Sequence, residues 1–162
     1  MREFDANGLE LASFQGELFE QSIKACGESS PVFLRRFFLS DYAATLDDGD
    51  SSIQSLDFNE AFESIQRQYG PSQYGKGKYS SEGMYWLGYF ARYVCYTREL
   101  SSRAFYRLFD VKDIYSLYES YHTQSEEWCL AHLLAKNGYT EATLNKNQRL
   151  LEALRAESNL SL

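Results

Sequence analysis

The residues with the strongest chemical pattern in this chain lie between positions 70 and 79. Gly70-Pro-Ser-Gln-Tyr-Gly75-Lys76-Gly77 is one residue short of a phosphate-binding loop. Such a loop places Ser or Thr after its lysine, to hold a magnesium ion, and it joins a strand to a helix that opens at the lysine. Here Gly77 stands at the hydroxyl position. Helical periodicity precedes the segment, and the next helix starts several residues later. The segment therefore reads as a surface loop. Its Tyr74, Lys76, Lys78 and Tyr79 suit contact with a partner, as exposed aromatic and cationic loop residues often do.

Two further constellations fall short of chemistry. Cys129 and His132 are three apart on a helical stretch, with His122 nearby. A zinc site needs a fourth ligand and usually a second close pair, and neither is present in the sequence. His132 shares a side with Trp128 and reads as a packed core histidine. His122 ends a helix in Tyr121-His122-Thr123, as a cap or as a base, and no nucleophile motif stands beside it. Asp47, Asp48 and Asp50 do not follow calcium-loop spacing because Gly49 comes too early, so they read as a solvated turn. No catalytic residue, metal ligand or cofactor is expected.

The arginines carry more information. Arg35-Arg36 interrupts an apolar stretch, with Asp41 following, and Arg92 interrupts an aromatic one. A charge in such a place must find a partner or reach solvent. The ordinary reading is an ion pair or a stem lying along the surface with its head in water. The functional reading is an anchor for an acidic group on another molecule. Arg98, Arg103 and Arg107 lie close to two short helical stretches that mimic a helix-turn-helix. The second stretch, however, carries Asp113, Glu119 and three tyrosines against the single Lys112, whereas a recognition helix needs donors for phosphates and base edges. Arg103 and Arg107 therefore join the loop residues as candidate protein contacts, and a nucleic-acid partner is not expected.

The chain has 162 residues, which suits one domain spanning 1–162. A net charge of −7 repels DNA and anionic membranes and favours encounter with a basic protein. The least charged run, 83–97, is too short to span a bilayer. Cys26, Cys95 and Cys129 are odd in number and widely spaced, and residues 1–18 lack the pattern of a secretory signal. Free thiols and a cytoplasmic location follow as expectations.

These residues are positioned by helices. Period-3.6 patterning predicts an all-α domain of about seven helices, packed around two central apolar ones at about 31–46 and 81–100. The first helix, about 8–26, reads as an amphipathic surface helix with Leu11, Phe14, Leu18 and Phe19 on one side. Ser30-Pro31 reads as the cap of the second, which is apolar all round. A third covers about 56–69, with Glu63 set to pair with Arg67. In the last helix Leu144, Leu151 and Leu154 fit a short heptad seam broken by Asn147, which suits docking onto the domain or onto a second copy as a homodimer.

Three stretches together carry a resemblance: Phe33-Leu-Arg-Arg-Phe37 with Ser40-Asp41, Tyr85-Trp-Leu-Gly-Tyr89 running to Cys95-Tyr96, and Tyr121-His122-Thr123. From about 32 to 132 the chain resembles a group of bacterial helical proteins associated with the antitoxin side of toxin–antitoxin gene pairs. The resemblance implies a protein that binds and masks a partner, and it supplies no catalytic residues. A phage-type inhibitor of a host defence complex is an alternative of the same class. A small helical enzyme or ligand-binding domain with a Tyr/Arg/His pocket is the alternative from another.

Overall fold

The computed structural model describes residues 1–49, 53–54 and 56–160, without the side chains of 147, 148, 151, 152, 155, 158 and 159. The readings of Asp50, Asn147 and Leu151 lie outside what is described. Among the described residues there is no strand, and nine α-helices follow one another: α1 (Ala6–Ala25), α2 (Ser30–Phe38), α3 (Asp41–Asp47), α4 (Phe58–Tyr69), α5 (Ser81–Thr97), α6 (Ser102–Leu108), α7 (Val111–Tyr121), α8 (Glu126–Lys136) and α9 (Glu141–Leu160). None is long and apolar enough to cross a membrane.

Most helices start where a short polar side chain satisfies an otherwise orphaned amide. Asp5, Asp57, Ser80, Ser101, Asp110 and Ser125 each accept from an amide in the first turn of the helix they precede. The cap of α2 is Ser29 rather than Ser30, and Pro31 falls inside its first turn. The same chemistry explains why the predicted helix at 31–46 is two helices. Ser40 turns extended, with ψ 156, and its Oγ accepts from the Ala43 amide at 3.0 Å to open α3. The predicted end of α5 near Leu100 also moves. Glu99 adopts φ 50, and the Leu100 amide bonds back to the Cys95 carbonyl at 2.9 Å, closing the helix at Thr97.

The central pair is α1 against α5. Helix α1 is amphipathic as expected, with Leu11, Ala12, Leu18 and Phe19 wholly buried and Glu10, Glu17, Glu20 and Lys24 exposed, but its inner face lies along α5 rather than at the margin of the domain. The two run antiparallel, with Gly8 against Tyr96 at one end and Gly16 against Tyr85 towards the other. Small residues at 8, 12 and 16 make one stripe of α1 nearly flat. From the other side, a Cβ on Gly88 would lie 2.6 Å from the Gln15 carbonyl oxygen, so only glycine permits this approach. Helices α2 and α4 add a phenylalanine layer. Phe19 meets Phe33, Phe37 and Phe38 edge to face at 4.8–5.7 Å.

Close packing puts a charge in the core. Arg92 on α5 is 1% exposed. Its Nε donates to Gln15 Oε1 at 2.8 Å, Nη1 to Asp47 Oδ1 at 2.8 Å and Nη2 to Ser102 Oγ at 2.7 Å. Asp47 is therefore not part of a solvated turn. It also accepts from the Ser102 amide and hydroxyl, tying α3 to the start of α6. Arg98 at the end of α5 does similar work, forking to Glu127 of α8 and Glu141 of α9 at 3.0 Å each.

Candidate functional site

The loop between α4 and α5 is laced to the start of α2. The amide of Ser29 donates to the Tyr74 carbonyl at 3.1 Å, that of Ser30 to the Gly77 carbonyl at 3.2 Å, and that of Tyr79 to Ser30 Oγ at 2.9 Å. Gly75 and Gly77 have φ of 82 and 100, and a Cβ on Gly75 would strike Ser29 Oγ at 2.5 Å. The glycines of the phosphate-loop-like motif thus serve this lacing. No helix opens at Lys76.

Lacing brings Tyr74 over the outer face of α2. Val32, Arg35, Arg36 and Leu39 follow i, i+3, i+4, i+7 spacing and form one stripe of that helix, away from buried Phe33, Leu34, Phe37 and Phe38. With Tyr69 at the end of α4, and Ser72 and Tyr74 of the loop, they line an open hollow of about 400 Å³. A second hollow of about 190 Å³ adjoins it and shares Arg36 and Ser72. Its lining includes Phe33, Phe62 and Ile65 but is mostly polar, with Glu28, Gln66 and Gln73 among it. Together they make a groove whose larger part has apolar walls and a cationic edge.

Arg36 organises that edge. Its Nη1 donates to the Gly70 carbonyl at 2.7 Å, and its guanidinium lies 5.6 Å from the centre of the Tyr69 ring. Neither Arg35 nor Arg36 meets a carboxylate among the described residues, and Asp41 pairs with neither. Arg35 is exposed with no described hydrogen bond. Tyr74 is 78% exposed. Cys26, at the edge of the smaller hollow, has its thiol pushed up to about 12 by burial and then by the Glu28 charge, so it stays protonated and unreactive.

The other residues singled out in the sequence are distributed differently. Lys76 is exposed on the same loop. Lys78 donates to the carbonyls of Cys26 and Glu28 at 2.8 and 2.5 Å, sealing the end of α1. Tyr79 stacks on Tyr115 at 3.8 Å. Arg103 donates to the Leu39 carbonyl at 2.8 Å and so abuts the end of the groove. Arg107 lines a separate shallow hollow with Phe109 and Lys112. Tyr69 was missed because it meets Arg36 only in space, although the α2 stripe itself is visible as spacing.

No histidine lines the groove, so the Tyr/Arg/His pocket does not form there. His122 packs on Tyr118, with Nδ1 2.6 Å from that residue's carbonyl oxygen. His132 is not a core histidine. It is half-buried, stacked 5.2 Å from Trp128, whose ring is 41% exposed. Among the described residues no group of three or more His, Cys, Asp or Glu side chains is set to hold a metal ion. No family model, curated protein or solved structure matches the chain.

Proposed function

We propose that this chain acts by binding another protein, as an inhibitor of the antitoxin kind that covers its partner's working surface. The observation that carries this reading is the groove along α2. Its larger hollow combines apolar walls, aromatic rings and arginines, the composition in which interface energy concentrates. The deep polar groups are committed elsewhere: Arg92 and Arg98 hold helices together, and the buried Cys95 and Cys129 thiols are raised in pKa, as is that of the half-buried Cys26. The antitoxin assignment within the protein-binding class rests on the resemblance carried by the segments at 33–41, 85–96 and 121–123. The net charge of −7 adds a long-range bias towards a basic partner.

The test has two stages. The tagged chain is recovered at low salt from the cell that makes it, and a stoichiometric companion is identified by mass spectrometry. The purified chain is then titrated into that companion's own activity assay. Inhibition complete near one-to-one stoichiometry is the expected result. A companion that stays fully active when saturated overturns the inhibitor reading, and recovery of no companion overturns the protein-binding one.

A further inference from the structure

We infer that the groove along α2 is a docking site for a short, extended segment of a partner protein that carries an acidic residue next to a large apolar one. This rests on the protein-binding reading and specifies what the site takes. Two independent observations meet here. The first is uncompensated charge: in a chain of net −7, Arg35 and Arg36 stand side by side with no carboxylate partner among the described residues. Arg67 is paired with Glu60, Arg92 with Asp47, and Arg98 with Glu127 and Glu141. Arg103 and Arg107 also meet no carboxylate among the described residues, and what sets Arg35 and Arg36 apart is that they are adjacent and border one apolar hollow. The second is shape: the same two arginines border a hollow of about 400 Å³ whose other walls are Val32, Leu39, Tyr69 and Tyr74.

The geometry fixes what fits. A guanidinium lying by a tyrosine ring keeps its planar edge free, and that edge matches a carboxylate through two parallel hydrogen bonds. Arg36 lies by the Tyr69 ring and spends Nη1 on the Gly70 carbonyl, so the side of its fork formed by Nε and Nη2 is the one that has no described partner. The apolar walls beside it favour a Leu, Ile or Phe side chain over a second charge. The last turn of α2 would gain from one basic residue through its dipole, but that gain explains neither the apolar hollow nor the two tyrosines that line it. The protein's own negative charge does not prevent binding, because charges beyond about 8–10 Å are largely screened at ordinary salt. That same negative field disfavours a polyanion such as RNA, which would have to bring many phosphates close.

The test is selection of a displayed random twelve-residue peptide library on the intact chain, counter-selected on a doubly substituted chain, Arg35→Glu with Tyr74→Ala. Both residues are exposed, so the substituted chain should melt with the parent. The expected outcome is a set of peptides with Asp or Glu adjacent to Leu, Ile or Phe. Their affinity should fall about tenfold or more on the substituted chain, the scale of an interface arginine or tyrosine, and should weaken with salt. Peptides enriched in Lys or Arg, or binding both chains equally, overturn the inference. So does a twelve-nucleotide single-stranded RNA that binds more tightly than any selected peptide. If the inhibited companion of the previous section binds the substituted chain unchanged, the groove assignment falls while the protein-binding reading stands.

Discussion

Arg92 and Arg35 are the same residue in opposite circumstances. Arg92 sits at 1% exposure, with donors directed at Gln15, Asp47 and Ser102. Arg35 is exposed at the edge of an apolar hollow, with no described partner. The first holds four elements in register; the second does nothing for the fold that the structure shows. Arg98 falls between them: its own side chain is 4% exposed, but Glu127 and Glu141 are 62% and 54% exposed. Burial of the partner carboxylate, more than the presence of an ion pair, separates a structural arginine from one free to bind.

The largest effect is expected at the buried end. Replacing Arg92 with Ala leaves the Asp47 carboxylate, 12% exposed, without its countercharge. Breaking such a pair costs about 3–5 kcal/mol, readable by urea denaturation. A loss under 1 kcal/mol would remove the distinction between the two arginines.

The intermediate site should show itself through pH. The hydrogen bonds from Arg98 and then Tyr93 hold the Glu127 carboxyl below its ordinary value of 4.5. The folded state thus binds that proton less readily than the unfolded chain, and the resulting stability is present above pH 4.5 and lost as pH falls below it. Tyr93 runs the other way. Burial, followed by its bond to Glu127, pushes it up to about 12 from 10. Its contribution is full below pH 10 and disappears as pH rises towards 12. Glu127→Gln should flatten the acid limb of a stability–pH profile between pH 5 and pH 3. An acid limb unchanged by the substitution would show that this exposed carboxylate is screened by solvent.

At the exposed end, Arg35→Ala should change stability by no more than about 0.5 kcal/mol in the same denaturation assay. A loss above 1 kcal/mol would mean that Arg35 has a structural role and would weaken its case as a free anchor.

What was legible in the sequence follows the range of each interaction. The caps at Asp57, Ser80, Asp110 and Ser125 act within one turn, and helical periodicity gives them away. So does the Glu63–Arg67 pair at 3.9 Å, four residues apart. Ser40 carried the same local signal, but it was masked by apolar residues on every side of 31–46. The centrality of α1 was written only as small residues at 8, 12 and 16, a pattern that means little until α5 supplies the facing Gly88. Lys78 meets Cys26 across 52 positions and Arg92 meets Asp47 across 45, distances at which pattern says nothing. In the groove, the α2 stripe was readable. That Tyr69 and Tyr74 line the same hollow was not, because the lacing of the loop to Ser29 and Ser30 decides it.

The tight α1–α5 interlock also sets a timetable. Gln15 donates its side-chain amide to the Gly88 carbonyl, 73 residues further along. During synthesis at about 5–20 residues per second, α5 follows α1 by roughly 4–15 s. Through that interval the stripe of α1 at Gly8, Ala12 and Gly16 lacks its α5 cover, while Phe19 can already pack on Phe33, Phe37 and Phe38 of α2. Helix α1 is therefore a stretch that chaperones would hold until α5 emerges, and a stall between residues 30 and 80 would release a product with the α5-facing side of α1 bare.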